Sequence, residues 1–314
     1  RAGRLAEAEA LYGATVAVEP NHIDALTNLG ALRVQQGRYA EAVEFLSSVL
    51  AANPSYAPAL INRGGALQNL KRYDEALADY DAAILADPVD AVAHDNRGLA
   101  LMESQRHGEA LASFDRALAL ASDFMPAHLH RGDALAMLKR LPEALASYDT
   151  ANALAPDNPE VLNNRGVALF ELGRAEEALG SHAAAQKLKP DYSDAICSEG
   201  VALQELGRYQ EALACYDAAL GLDPGHGLAA FNKAHLKLLL GDFAEGWPLY
   251  EGRWQGALSH TRFARRGPVW LGRESVAGKT VLLQAEQGFG DVVQFCRFAP
   301  EVASMGATVF VEVQ

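Results

Sequence analysis

The chain has 314 residues, half of them hydrophobic, and a formal net charge of −13 at pH 7. Its length and composition allow a substantial core, and its acidic balance argues against a nucleic-acid-binding protein, which needs a basic face. No apolar run approaches the roughly 20 residues of a membrane span, and no signal-peptide pattern opens the chain. Its three cysteines have no metal-ligand or Cys-x-x-Cys spacing, which predicts reduced thiols, no metal site and a cytoplasmic location.

A period of 34 residues runs through most of the chain. The recurring glycines are Gly30, Gly64, Gly98, Gly132, Gly166 and Gly200. The recurring alanines are Ala8, Ala42, Ala76, Ala110, Ala144, Ala178 and Ala212. The recurring prolines are Pro20, Pro54, Pro88, Pro156, Pro190 and Pro224, with Ser122 as the one exception. A regular period of this length predicts an array of stacked structural repeats.

Each period reads as two amphipathic helices, as residues 57–90 illustrate. The stretch "APALINRGGALQNL" is the first helix and "RYDEALADYDAAILAD" is the second, which Pro88 ends because proline cannot extend a helix. Gly64 and Ala76 are small, so the two helices can approach closely, and aromatic residues such as Tyr80 fill the remaining space. A single pair cannot bury its apolar face, so the pairs are expected to stack into a solenoid with a concave surface.

The period, with small residues and proline at these offsets, resembles the tetratricopeptide repeat (TPR). The resemblance implies a mostly α fold, an α-solenoid in which helix pairs form a right-handed superhelix and the first helix of each pair lines the groove. We expect a half repeat over 1–22, six whole repeats over 23–226 and a degenerate repeat over 227–260.

A ladder of polar residues stands two positions before each recurring glycine, and it continues two positions before Ala234, which takes the place of the glycine in the seventh repeat. Its members are Asn28, Asn62, Asn96, His130, Asn164, Ser198 and Asn232. An asparagine amide can donate to a carbonyl and accept from an N–H, so the ladder could hold an extended peptide by its backbone. Eukaryotic O-linked N-acetylglucosamine transferases, which the repeats resemble, carry a similar ladder. Alternatively, asparagine here only tolerates solvent and caps local backbone.

Arginines follow four of the ladder positions, at Arg63, Arg97, Arg131 and Arg165. We interpret them as partners for neighbouring aspartates and glutamates, with phosphate binding as the alternative.

The pattern changes after the repeats. Residues 261–277 are poor in helical periodicity and hold arginines among aromatic residues, which indicates a connector that docks; contact with a nucleotide phosphate is the alternative. Beyond it, "KTVLLQA" and "ATVFVEV" have the length and composition of strands, separated by the turn "EQGFGD" and a helical stretch. Strand, helix and strand form a βαβ unit, so residues 278–314 are predicted to begin a Rossmann-like sheet. Ligands bind at the carboxyl ends of such strands, where this turn lies.

Three interpretations compete for this turn region. A Walker loop is suggested by "GRESVAGKT", but its spacing is one residue too long and it precedes the strand. A dinucleotide-binding fingerprint is suggested by Gly288 and Gly290, with Glu312 at the distance of a ribose-binding acid, but Val293 replaces the third glycine. The third interpretation is a resemblance: "GDFAEGWPLYEGRW", "PVWLG", "GKTVLLQAEQGFGDVVQFCRF" and "GATVFVEVQ" are similar to bacterial TPR glycosyltransferases.

That resemblance implies the start of the first domain of a two-domain GT-B enzyme that transfers a sugar from a nucleotide-sugar donor, without a cofactor or metal, to an acceptor such as a protein. The related heptosyltransferases carry Gly-Asp after their first strand, which assigns Asp291 here as the general base. An aspartate directly before a helix is also a favoured N-cap, which is the alternative role. The residues expected to bind substrate are Glu286, Gln287, Gly288, Gly290, Gln294 and Arg297.

A non-catalytic TPR scaffold that mediates protein–protein interaction is the alternative to the enzyme. The sequence starts as if in mid-helix and stops on an apolar run, so we expect a fragment of a longer protein. Because the second GT-B domain holds most donor contacts, we expect no sugar transfer by residues 1–314 alone.

Overall fold

A computed structural model describes residues 2–250, 270, 274–284 and 298–312. Helices follow one another through residues 2–250, which confirms the predicted mostly α solenoid. They are α1 (Ala2–Val18), α2 (Ile23–Gln35), α3 (Tyr39–Ala52), α4 (Ala57–Asn69), α5 (Tyr73–Ala86), α6 (Ala91–Glu103), α7 (His107–Leu120), α8 (Met125–Met137), α9 (Leu141–Leu154), α10 (Pro159–Glu171), α11 (Ala175–Leu188), α12 (Ser193–Glu205), α13 (Tyr209–Leu222), α14 (Gly227–Leu239) and α15 (Phe243–Tyr250). From α2 onward they form pairs, each with a first helix (even number) and a second helix (odd number).

A tight turn joins the two helices of each pair, and one residue in it has a positive φ. Glycine fills this position at Gly37, Gly173, Gly207 and Gly241, whereas Lys71, Gln105 and Lys139 fill it in the three pairs between. A left-handed residue ends a helix because its N–H can bond back to a carbonyl of the last turn. The same turn geometry therefore recurs every 34 residues and reverses the direction of the chain in the same way in each helix pair.

The small residues let the paired helices touch, as predicted. A Cβ added to Gly64 would lie 2.7 Å from Cε1 of Tyr80, so only glycine fits against this ring. Ala76 is fully buried. Two whole repeats depart from the aromatic rule, because Leu46 packs on Gly30 in the first and His182 packs on Gly166 in the fifth. The 34-residue period does not predict these substitutions.

A second recurring contact, which we call the arginine bridge, ties neighbouring repeats together. In Arg97, Nε donates to Asp81 of the preceding repeat at 2.6 Å and Nη1 donates to Ser113 of its own repeat at 2.7 Å. Arg131 and Arg165 make the same pair of contacts one and two repeats later. Arg63 makes the mirror arrangement, with its aspartate in its own repeat and its serine in the preceding one. The predicted pairing of these arginines with acidic neighbours is confirmed.

The described C-terminal residues contain strands β1 (Thr280–Gln284) and β2 (Thr308–Glu312) and a short helix α16 (Ala299–Ser304) before β2. The strands pair in parallel, with Leu282 opposite Phe310. Both predicted strands are therefore present, and a larger Rossmann-like sheet stays a prediction. No helix in the described part of the chain is both long and apolar enough to cross a membrane.

Candidate polypeptide-binding groove

The first helices form the inner side of the solenoid. Each one from α2 to α12 contacts the first helix of the next pair, whereas successive second helices make no comparable contact within the described residues. Helices that lie closer together are on the inside of a curved stack. The surface of α2, α4, α6, α8, α10, α12 and α14 that faces away from the second helices is therefore the concave groove.

The ladder residues lie on this groove surface. On an α-helix, two positions correspond to a rotation of about 200°, so a residue two before a glycine faces nearly opposite to it. The glycines face the second helix, as Gly64 does against Tyr80, and the ladder side chains consequently point into the groove. Asn28 is exposed and the other ladder residues are partly buried.

The ladder divides into two halves by its hydrogen bonding. The side-chain amides of Asn28, Asn62 and Asn96 have no hydrogen-bond partner within the described residues. Asn164, by contrast, donates from Nδ2 to Asp133 Oδ1 at 3.0 Å. Burial raises the pKa of the Cys197 thiol, and the neighbouring amide of Asn232 opposes that rise. Only the N-terminal half therefore offers a row of free amide donors and acceptors.

The middle of the groove holds a group of interacting side chains, which we call the central cluster: Asp95, His130, Asp133, Tyr148 and Asn164. Nδ1 of His130 lies 2.9 Å and 3.1 Å from the two carboxylate oxygens of Asp95, which is buried. Asp133 Oδ1 accepts from the Tyr148 hydroxyl at 2.7 Å as well as from Asn164. His130 does not simply interrupt the ladder, because it is held by an aspartate of the preceding repeat.

Burial and charge act against each other on the pKa values of His130 and Asp133. Burial lowers the pKa of His130, but the hydrogen bond to Asp95 and the charges of Asp95, Asp133 and Glu160 outweigh it and raise the pKa overall. Burial raises the pKa of Asp133, against the hydrogen bond from Tyr148 and the charge of His130. Asp95 is in direct contact with His130, and the charges of Asp133 and Glu160 act on the same ring, so acidic residues are concentrated around His130 at the centre of the groove.

An apolar row runs beside the ladder. Residues three positions apart share a helix face, so each ladder residue has a neighbour one turn further along the groove. Leu99 and Val201 are partly buried in this row, and Val167 is 38% exposed. Gly65 and Asp133 hold the same position in their repeats. The groove therefore offers amides, apolar contacts and, at its centre, negative charge.

The predicted catalytic and substrate-binding residues lie outside the described part of the chain. They are Glu286, Gln287, Gly288, Gly290, Asp291, Gln294 and Arg297. Their roles stay predictions. Among the described residues, no group of His, Cys, Asp and Glu side chains is arranged to hold a metal ion.

Known proteins share this architecture. Protein FlbA of Caulobacter vibrioides is 40% identical over 73 residues, which are 23% of this chain and 12% of that protein. The chain thus aligns with a small part of that relative. The APC/C hetero-tetramer Cut9-Hcn1 is 16% identical with a TM-score of 0.64, over 80% of this chain and 49% of that chain. The PilF protein of Pseudomonas aeruginosa is 19% identical with a TM-score of 0.60, over 68% of this chain and 97% of that one. At these identities the two structures show a common fold.

Family models agree with the fold. One model described as a tetratricopeptide repeat matches residues 1–57, 96–159 and 143–193. Two further models with the same description match residues 33–95 and 193–226. The matches join without a gap over residues 1–226, and the chain belongs to the tetratricopeptide repeat proteins.

Proposed function

We propose that this chain is an interaction scaffold whose groove binds an extended polypeptide through its backbone. The observation that carries the proposal is the row of free amides at Asn28, Asn62 and Asn96, spaced one repeat apart on the inner face. Each amide has one acceptor and two donor sites, which match the C=O and N–H groups of an extended chain. Backbone recognition of this type depends little on the sequence of the partner.

The rest of the groove adds selectivity to that backbone contact. Leu99, Val167 and Val201 offer apolar surface for every second side chain of an extended segment, because its side chains alternate in direction. The carboxyl groups around His130 favour a lysine or arginine near the middle of the segment. Concave surfaces of this kind are the usual binding surfaces of helical solenoids.

Fluorescence anisotropy with two labelled decapeptides tests this proposal. One peptide alternates valine and lysine, and the other alternates valine and glutamate. We expect the lysine peptide to bind more tightly, and we expect the double variant Asn62→Ala, Asn96→Ala to weaken it about tenfold, as the loss of two neutral hydrogen bonds predicts. Gln210→Ala removes an exposed amide from a second helix and is the matched control. An unchanged double variant would refute backbone recognition by the ladder, and equal binding of the two peptides would refute selection by the charge at the centre of the groove.

We further propose that the longer protein transfers a sugar from a nucleotide-sugar donor. The parallel pairing of β1 with β2, and α16 just before β2, favour a βαβ unit at the C-terminal end. Such units bind ligands at the carboxyl ends of their strands, and residues 285–291 follow the carboxyl end of β1 in sequence. Asp291 is the expected general base.

Nucleotide release from a panel of nucleotide sugars by the longer protein tests this second function. Asp291→Asn is expected to abolish release while the helical content of the protein stays unchanged. No release with any donor from a folded longer protein would leave the scaffold function alone. Turnover by residues 1–314 would contradict the expectation that a second domain is required.

A further inference from the structure

Two junctions in the described part of the solenoid lack the arginine bridge. At the first, between α1 and the first whole repeat, the three positions hold Gly13, Leu29 and Phe45. At the second, the sixth whole repeat has Glu199 where the four repeats before it have arginine, Ala183 stands at the position of the aspartate, and Cys215 stands at that of the serine. The bridge returns one repeat later in another form, because Lys233 Nζ lies 2.7 Å from Asp217 Oδ1. Between the fifth and sixth whole repeats, all three members of the bridge are thus replaced together, and an acidic residue stands in place of the arginine.

A cleft of about 530 Å³ lies at this junction. Small residues of α11, among them Gly180 and Ala183, form one wall, and Cys215 of α13 forms the other. Glu199 and Leu203 of α12 lie between them. The cleft opens between two second helices, so it is separate from the concave groove.

One carboxylate in the cleft, that of Glu199, forms no salt bridge within the described residues, although its charge acts on Arg208. Glu199 accepts a hydrogen bond from Gln186 Nε2 at 2.6 Å, which is a neutral donor. Arg208, the one basic residue of the lining, is held by both oxygens of Glu211 at 2.7 Å and 2.8 Å. Burial first, and then the charges of Glu199 and Glu211, raise the pKa of the Cys215 thiol to about 11, so that thiol is neutral.

We propose that this cleft binds an arginine side chain of a partner protein. The guanidinium occupies the place that Arg97, Arg131 and Arg165 fill at the other junctions, and it pairs with Glu199. The methylene groups of the arginine pack against Leu203 and the small residues of α11. The partner thereby completes from outside the contact that the chain itself supplies elsewhere.

Cys215 provides a reporter within the cleft. Two disulfide probes of equal shape differ in charge: bis(2-guanidinoethyl) disulfide carries guanidinium groups, and bis(2-ureidoethyl) disulfide carries neutral urea groups. The protein is equilibrated with each probe and a thiol buffer, and the mixed disulfide on the Cys215 peptide is measured by mass spectrometry. We expect about fivefold more capture of the guanidinium probe, as a partly exposed ion pair predicts.

Three variants decide whether Glu199 causes the preference. Glu199→Gln is expected to equalise the two probes, whereas Glu176→Gln removes an acid near Arg208 that does not line the cleft and is expected to keep the preference. The double variant Ala183→Asp, Glu199→Arg rebuilds the bridge within the chain and is expected to lose capture of the guanidinium probe. The proposal is overturned if Glu199→Gln keeps the preference, or if the rebuilt bridge, in a protein of unchanged circular dichroism, captures this probe as well as the original chain.

Discussion

The two halves of the groove use one repeat position in different ways. In the N-terminal half, Asn62 and Asn96 present free amides to the groove. In the middle, His130 and Asn164 stand at the same position but are bound to aspartates of the preceding repeat. A position that recurs in sequence is therefore not one functional site repeated, because its neighbours decide whether it faces a ligand or its own protein.

A single difference in the neighbouring row explains much of this contrast. The residue three positions after the ladder is Gly65 or Leu99 in the N-terminal half, and it is Asp133 in the centre. An acidic side chain that is largely buried needs donors, and Tyr148 and Asn164 supply them. Under the proposed function, the N-terminal half would bind any backbone, whereas the centre would select by charge.

The largest expected effect concerns the core beneath the central part of the groove, where the His182 ring packs on Gly166 of α10. Burial lowers the pKa of His182 to about 4, whereas an unfolded histidine has a pKa near 6.5. The unfolded state therefore binds a proton first as the pH falls, and stability is lost between about pH 6.5 and 4. We expect this histidine to account for about 3 kcal/mol of that loss. Urea unfolding at pH 7 and pH 4 of the original chain and of His182→Phe measures it. If both proteins lose the same stability between pH 7 and pH 4, protonation of His182 is not the cause of the loss.

The next effect concerns the close helix contact on which both halves depend. Gly64 and Gly65 are adjacent in α4, but an added Cβ at Gly64 would lie 2.7 Å from the Tyr80 ring, whereas one at Gly65 would lie 3.8 Å from its hydroxyl oxygen. We expect Gly64→Ala to lower the free energy of unfolding by about 1–3 kcal/mol and Gly65→Ala to raise it by about 0.5–1 kcal/mol. Urea denaturation of the pair tests this. Similar changes in the free energy of unfolding at both sites would show that the Tyr80 ring moves aside at little energetic cost.

A smaller effect, on the pH dependence of thermal stability, is expected when His130 in the centre is replaced by the asparagine that stands at this position in the N-terminal half. The raised pKa of His130 gives a stabilisation that is full below the unfolded pKa and is lost as the pH rises through the folded value. His130→Asn restores the ladder amide and is expected to flatten the change in the thermal midpoint between pH 6 and pH 8.5. If the variant shows the same change in thermal midpoint as the original chain, titratable groups other than His130 cause that change.

The smallest expected effect is on peptide selection. Asp133→Asn removes one charge from the centre and is expected to reduce the preference for the valine–lysine over the valine–glutamate peptide about threefold, as one partly exposed ion pair predicts. The double variant Asn62→Ala, Asn96→Ala is expected to weaken the binding of both peptides and to leave the ratio of their dissociation constants unchanged. Anisotropy titrations of both variants with both peptides distinguish charge selection from backbone recognition.

The helix pairs and the ladder could be predicted from the sequence because both follow from a constant spacing. The division of the ladder could not, because the contact of Asn164 with Asp133 spans two repeats and depends on side-chain geometry. A signal was nevertheless present: Asp133 is acidic in a row that is otherwise glycine or apolar at Gly65, Leu99, Val167 and Val201. His182 likewise breaks the aromatic row, and such exceptions to the period mark the positions where neighbouring repeats differ.

The measurement that tests the central claim most directly is a double-variant cycle between the ladder and a peptide backbone. Binding of the valine–lysine decapeptide is compared with that of the same peptide N-methylated at alternate residues, which removes backbone donors without changing side chains. In the original chain we expect N-methylation to weaken binding about tenfold, and in Asn62→Ala, Asn96→Ala we expect it to have little further effect. An equal loss on N-methylation in both proteins would mean that the amides of the ladder do not hold the backbone of the partner.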